Sequence, residues 1–159
     1  MTKKLIGCVT ALMLTSTLNA DKNYQLGVST TDIDNYSGKE ISINYGLDNA
    51  KATNRNGFYW GMEIGINYLN TDLGNGYGTN GDLLLGYSPT KNMSVYGIGS
   101  GLVQKINDVE AAGFGFGGGI KYDISEKYTV VLDYKKYTMT MSIGEYDYKK
   151  SSLSIQYNW

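Results

Sequence analysis

Leu153-Ser154-Ile155-Gln156-Tyr157-Asn158-Trp159 closes the chain. Apolar residues hold the odd positions and polar residues the even ones. Successive side chains of a strand point to opposite faces. This stretch is therefore a strand with one greasy face (Leu153, Ile155, Tyr157, Trp159) and one polar face (Ser154, Gln156, Asn158). Its alternation runs without a break to Trp159.

The same period of two recurs seven more times upstream. The first segment sets outward Tyr24, Leu26 and Val28. The second sets Ile41, Ile43, Tyr45 and Leu47, and the third Trp60, Met62, Ile64, Ile66 and Tyr68. The fourth sets Leu83, Leu85 and Tyr87, and the fifth Tyr96, Ile98 and Leu102. The sixth sets Phe114, Phe116, Ile120 and Tyr122, and the seventh Tyr128, Val130, Leu132 and Tyr134. None of these outward sets holds a charge. A soluble sandwich needs a wet outer face, whereas a Lys or Arg facing mid-bilayer costs roughly 2–4 kcal/mol. Each segment also has an aromatic at one consistent end: Tyr24, Tyr45, Trp60, Tyr87, Tyr96, Tyr122, Tyr128 and Trp159. Such a ring is the interfacial girdle of a transmembrane barrel. The expectation is an all-β, eight-stranded antiparallel up-and-down transmembrane barrel.

The chain has 159 residues, enough for one domain, with 21 Gly, 15 Tyr, one Pro and no His. Mean hydropathy is slightly polar at -0.30, as suits a wall in which only alternate residues meet lipid. Residues 1–20 read as a signal peptide: Lys3 and Lys4, then an apolar run from Leu5 to Leu14, then Leu18-Asn19-Ala20 before Asp21. The run is shorter than the roughly 20 residues of a membrane-crossing helix. Residues 21–159 are then the barrel, exported through the Sec pathway. Cys8 is the lone cysteine and leaves with the leader, so no disulfide or Cys metal site is expected. With both termini in the periplasm, Ser88–Asn92 and Ser125–Lys127 are short periplasmic turns. Segments 30–38, 70–80, 104–111 and 138–147 are longer outer loops, and 48–57 is an unusually long periplasmic connection.

Features resembling chemistry dissolve on inspection. Gly113-Phe114-Gly115-Phe116-Gly117-Gly118-Gly119 has the spacing of a nucleotide loop but alternates like a strand, with no helix to face a pyrophosphate. Asp32, Asp34, Asn35 and Gly38 hint at a calcium loop, yet the glycine is misplaced and Ile43 stands where the last carboxylate belongs. Without His, the usual base beside a Ser nucleophile is missing, leaving only a carboxylate-pair hydrolase as a formal option. No enzyme activity, cofactor or metal is expected, and no basic patch points to nucleic acid.

The inward positions carry the remaining information. Glu40, Glu63, Asp82, Asp123 and Asp133 face Lys121 and Lys135, so a polar network is expected, with Glu63 and Asp133 as neighbours of the lysines. Unpaired charge in a dry lumen is costly. Gly97, Gly99, Gly101, Gly113, Gly115, Gly117 and Gly119 are expected side by side as a bare inner wall. That wall either shapes the curve or leaves a cation-preferring path.

The leader, the eight segments and the terminal Tyr157-x-Trp159 resemble the small outer-membrane barrels of the OmpA transmembrane-domain, OmpX and opacity-protein type. The resemblance implies residence in the bacterial outer membrane among lipid and lipopolysaccharide. It also implies that the barrel-assembly machinery reads Leu153, Ile155, Tyr157 and Trp159 as an assembly signal. The function expected is a non-enzymatic structural or surface-interaction role, with an extracellular ligand held by the loops. The alternative is a small pore or small-molecule conduit through the glycine-lined lumen.

Overall fold

The structure, a computed structural model, describes residues 20–34, 36–49, 57–142 and 144–159. The leader with Cys8, Asn35 and most of the 48–57 connection lie outside the described residues. The strands are β1 (Asp21–Ile33), β2 (Tyr36–Asp48), β3 (Gly57–Thr71), β4 (Gly74–Thr90), β5 (Met93–Ile106), β6 (Val109–Asp123), β7 (Tyr128–Met141) and β8 (Gly144–Asn158). Each pairs antiparallel with its neighbour in sequence, and β8 returns to β1. Closure leaves no edge strand, the only state in which a sheet satisfies every backbone group in lipid.

The seam shows why the last residues matter. Asn23 lies opposite Asn158 and Tyr24 opposite Tyr157. The Tyr24 ring stacks on Trp159 with centroids 6.0 Å apart and tilts against Tyr45 at 5.4 Å. Lys22 Nζ lies 5.4 Å above the Trp159 ring, so the girdle clamps the closing strands at their membrane-interface end.

The segments expected as long outer loops are instead strand. The strands are 13 to 17 residues long, and only two residues separate β1 from β2, β3 from β4, β5 from β6 and β7 from β8. Asp34 and Asn107 take the left-handed conformation (φ 53° and 51°) that such turns need. The polar sequence misled because these strand ends rise beyond the apolar belt and are wet on their outer face, while their inner face still buries Ile33, Leu69, Tyr137, Met139 and Tyr148. The hairpin tips are also tied together. Asp34 and Asp147 exchange two hydrogen bonds of 3.1 Å, Ser37 and Asp72 exchange two of 3.2 Å, and Asn107 Nδ2 donates to the Leu73 carbonyl at 2.7 Å. At the other end Asn49 stitches the start of β3: its amide donates to the Phe58 carbonyl and its carbonyl accepts from Trp60 N, both at 2.9 Å. Pro89 lies not in a turn but near the end of β4, where the register with β5 shifts and a missing N–H is tolerated.

One strand faces the opposite way from expectation. Tyr96, Ile98 and Leu102 are buried, at 4%, 4% and 3% exposure, so they point into the lumen. Gly97, Gly99 and Gly101 point outward with Val95 and Val103. Tyr96 is therefore absent from the girdle, where Val95 stands instead. The reason lies next door: Tyr96, Ile98, Ser100 and Leu102 pair with Gly119, Gly117, Gly115 and Gly113 of β6. Between Gly113 and Gly119 the inner face of β6 has no side chains, so the bulky residues of β5 turn inward to fill that volume, as close packing requires.

Candidate functional site

The lumen gathers the charged side chains. Facing inward are Glu40, Asp48, Glu63, Asp82, Asp123 and Asp133, with Lys121, Lys135 and Lys150. The period of two positions them. Lys121 ends β6, Lys135 sits mid-β7, and Lys150 lies two steps back from Ser152 along β8. Each lysine crosses the lumen to a distant strand. Nearest the termini, Lys121 Nζ lies 2.9 Å from Glu63 of β3 and 3.6 Å from Asp48 of β2. It also sits between the Tyr59 and Tyr96 rings, 5.6 and 5.8 Å from their centroids. At mid-height Lys135 pairs with Asp82 of β4. Nearer the hairpin tips Lys150 pairs with Glu40 of β2.

Hydroxyls and amides fill the remaining carboxylate lone pairs. Ser100 Oγ and Asn80 Nδ2 donate to Asp82, the latter at 3.1 Å, and Ser100 Oγ lies 2.9 Å from Tyr137 Oη. Tyr148 Oη donates to Glu40 at 2.8 Å. Tyr96 Oη donates to Asp133 at 2.6 Å, so Asp133 takes a tyrosine rather than the expected lysine, and Lys135 takes Asp82. Toward the termini Gln156, Asn158, Thr129 and Asp123 form a chain of hydrogen bonds. A buried ion pair roughly balances its own desolvation. These pairs therefore contribute less to net stability than to fixing which strands face each other.

Two apolar clusters alternate with the ionic layers. One joins Tyr59, Leu84, Tyr96, Ile98 and Val131. The other, toward the hairpin tips, joins Ile33, Leu69, Leu102, Ala111, Tyr137, Met139 and Tyr148. The inward glycines of β6 receive these residues rather than opening a path. A Cβ added at Gly115 would come within 2.5 Å of the Tyr137 ring, and one at Gly119 within 2.7 Å of the Tyr96 ring. On the β1–β4 side the lumen is more polar: Ser29 Oγ, Thr31 Oγ1, Asn44 Oδ1, Asn67 Nδ2 and Asn80 Oδ1 are buried without a protein partner. Water is the partner such atoms require.

Of the residues expected from sequence, Glu40, Glu63, Asp82, Lys121, Asp123, Asp133 and Lys135 all lie inside, whereas Gly97, Gly99 and Gly101 do not. Sequence reading missed Asp48, Lys150, Tyr96, Tyr137, Met139 and Tyr148. Period-two continuation from Lys135 to Tyr137 and Met139, and from Ser152 back to Lys150 and Tyr148, would have found four of them. For β5 the signal was polar: Ser94, Ser100 and Gln104 share a face with Tyr96. Among the described residues no group of three or more His, Cys, Asp or Glu could hold a metal.

The fold has solved counterparts. The N-terminal β-barrel domain of Pseudomonas aeruginosa OprF matches 88% of this chain and 99% of its own at 13% identity, with a TM-score of 0.58. A de novo designed transmembrane β-barrel matches 87% and 95% at 12% identity, TM-score 0.55. Neisserial surface protein A matches 89% and 97% at 7% identity, TM-score 0.53. No protein-family model and no curated protein matches the sequence. An unbroken eight-stranded closed barrel, matched over nearly its whole described length, gives this chain the fold of the small outer-membrane β-barrels.

Proposed function

We propose that the protein is an integral protein of the bacterial outer membrane, non-enzymatic, with a structural role and a closed lumen. The observation that carries this is the inversion of ordinary burial. Leu26, Ile43, Ile64, Leu85, Phe116, Leu132 and Ile155 are exposed on the outer wall, while lysines and carboxylates occupy the interior. An outer surface of this size and apolarity is untenable in water and normal in lipid. The termini then lie on the periplasmic side, after Sec export and assembly directed by the β8 face. Surface interaction is the weaker part of the role, because two-residue hairpins offer little loop to a partner. The pore reading draws on the polar atoms of β1–β4 but must pass the apolar cluster around Tyr137 and Met139.

Fractionation tests membrane residence. The protein should be recovered in the outer-membrane pellet after carbonate washing, with a faster-migrating unboiled form on gels. Recovery in the soluble periplasm, or a single mobility before and after boiling, contradicts it.

A further inference from the structure

The apolar belt is uneven in height. On β3 it runs outward from Phe58 to Tyr68, and on β4 from Tyr77 to Tyr87. At strand rise and barrel tilt that is roughly 25 Å, a full hydrocarbon thickness for such barrels. On β1 it runs only from Tyr24 to Val28, on β7 from Tyr128 to Tyr134, and on β8 from Leu153 to Trp159, roughly 10–15 Å. A belt shorter than the bilayer draws headgroups down beside it.

At the upper edge of the short side lies a groove of 590 Å³ on the outer wall, lined by Val28, Thr30, Lys39, Ile41, Leu132 and Leu153 among others. Thr30 lies in it, with Lys39 of β2 directly opposite on one side and Ser151 of β8 on the other; Glu40 also lines it, its carboxylate turned inward to Lys150. Small side chains between larger apolar ones make a channel for an alkyl chain. Lys39 stands at its rim, and Lys149 of β8 stands one outward step higher, on the far side of β1. The two strands that flank β1 are about 10 Å apart, a span that two lysine arms can close on one anion. Neither lysine has a carboxylate within ion-pair distance among the described residues. Lys136, opposite Lys149 on β7, is held by Asp147 at 2.7 Å, and Asp32, exposed opposite Lys149, partly offsets the charge. The tall side lacks this arrangement: at the same end its outward residues are Asn70, Asn75, Lys105 and Glu110, and Lys105 is tied to Asp108 at 3.4 Å.

We propose that this groove binds a phosphate-bearing membrane lipid, its phosphate between Lys39 and Lys149 and an acyl chain along Val28, Ile41 and Leu153. The site rests on the membrane reading above, since only in a bilayer does a lipid meet this wall. Charge complementarity selects the headgroup, and the short belt brings it to the height of the lysines.

The test uses protein refolded in zwitterionic micelles, with heat-modifiable mobility recorded first so that loss of fold is separated from loss of binding. Phosphatidic acid and phosphatidylcholine of identical chains are then titrated, and retained lipid is counted by native mass spectrometry. Roughly ten-fold preferential retention of phosphatidic acid is expected, because two lysines at about 1 kcal/mol each would give about thirty-fold and Asp32 offsets part of that. Lys39→Ser with Lys149→Ser should abolish the preference, and Lys105→Ser should leave it intact. Equal retention of both lipids by the folded wild type, or an unchanged preference in the double variant, overturns the site.

Discussion

β5 and β6 lie side by side, and both are rich in glycine, yet they use it in opposite directions. β6 turns Gly113, Gly115, Gly117 and Gly119 into the lumen and Phe114 and Phe116 out, at 84% and 73% exposure. β5 turns Tyr96, Ile98 and Leu102 in and Gly97, Gly99 and Gly101 out. Over the middle of the pair, each large residue has a glycine beside it on its own face: Tyr96 with Gly119, Ile98 with Gly117, Leu102 with Gly113, Phe116 with Gly99 and Phe114 with Gly101. A glycine-rich strand therefore does not announce an open wall. What it does depends on which neighbour's side chain lies over it.

Several substitutions break or sharpen that contrast. The largest effect should come from Lys135→Ala. Lys135 passes over the bare Gly117 of β6 to reach Asp82, and removing it leaves a buried carboxylate unpaired, which costs about 3–5 kcal/mol. Urea unfolding in micelles reads this directly. Gly115→Leu should follow, at about 2–3 kcal/mol, because its side chain would meet the Tyr137 ring and the Lys136 carbonyl; a loss below about 0.5 kcal/mol would reveal unfilled lumen. Tyr96→Phe removes the donor to Asp133 and should cost about 1.5–3 kcal/mol on the same unfolding assay, with the barrel still heat-modifiable. The smallest effect belongs to Gly99→Ala on β5. No atom lies within 4 Å of a Cβ there, so the change should stay within about 0.5 kcal/mol. If Gly99→Ala were as damaging as Gly115→Leu, the assigned facing of β5 would be wrong.

Much of this was legible in the residues. β3 and β8 alternate without interruption, and their faces follow from Trp60 to Tyr68 and from Leu153 to Trp159 alone. Among the described residues, five of the six inner acids (all but Asp48) and two of the three inner lysines followed from the same register. β5 was not legible by hydrophobicity, because glycine carries no facing signal and Tyr96, Ile98 and Leu102 suit either side; the choice is made by β6. The hairpin ends failed for another reason. Once a strand rises above lipid its outer face turns polar and the apolar-out signal vanishes, so Met139 fell in an expected outer loop and Tyr148 and Lys150 fell short of the expected eighth strand, although all three plug the lumen. The pairing of Lys135 with Asp82 rather than Asp133 depends on cross-barrel geometry that no local window contains.

The central claim is that a barrel with a lipid-facing wall encloses a filled lumen. Single-channel recording of the refolded barrel, residues 21–159, in a planar bilayer tests it most directly. A silent membrane is expected in the presence of inserted, heat-modifiable protein. Discrete, reproducible conductance steps from that same preparation would contradict it.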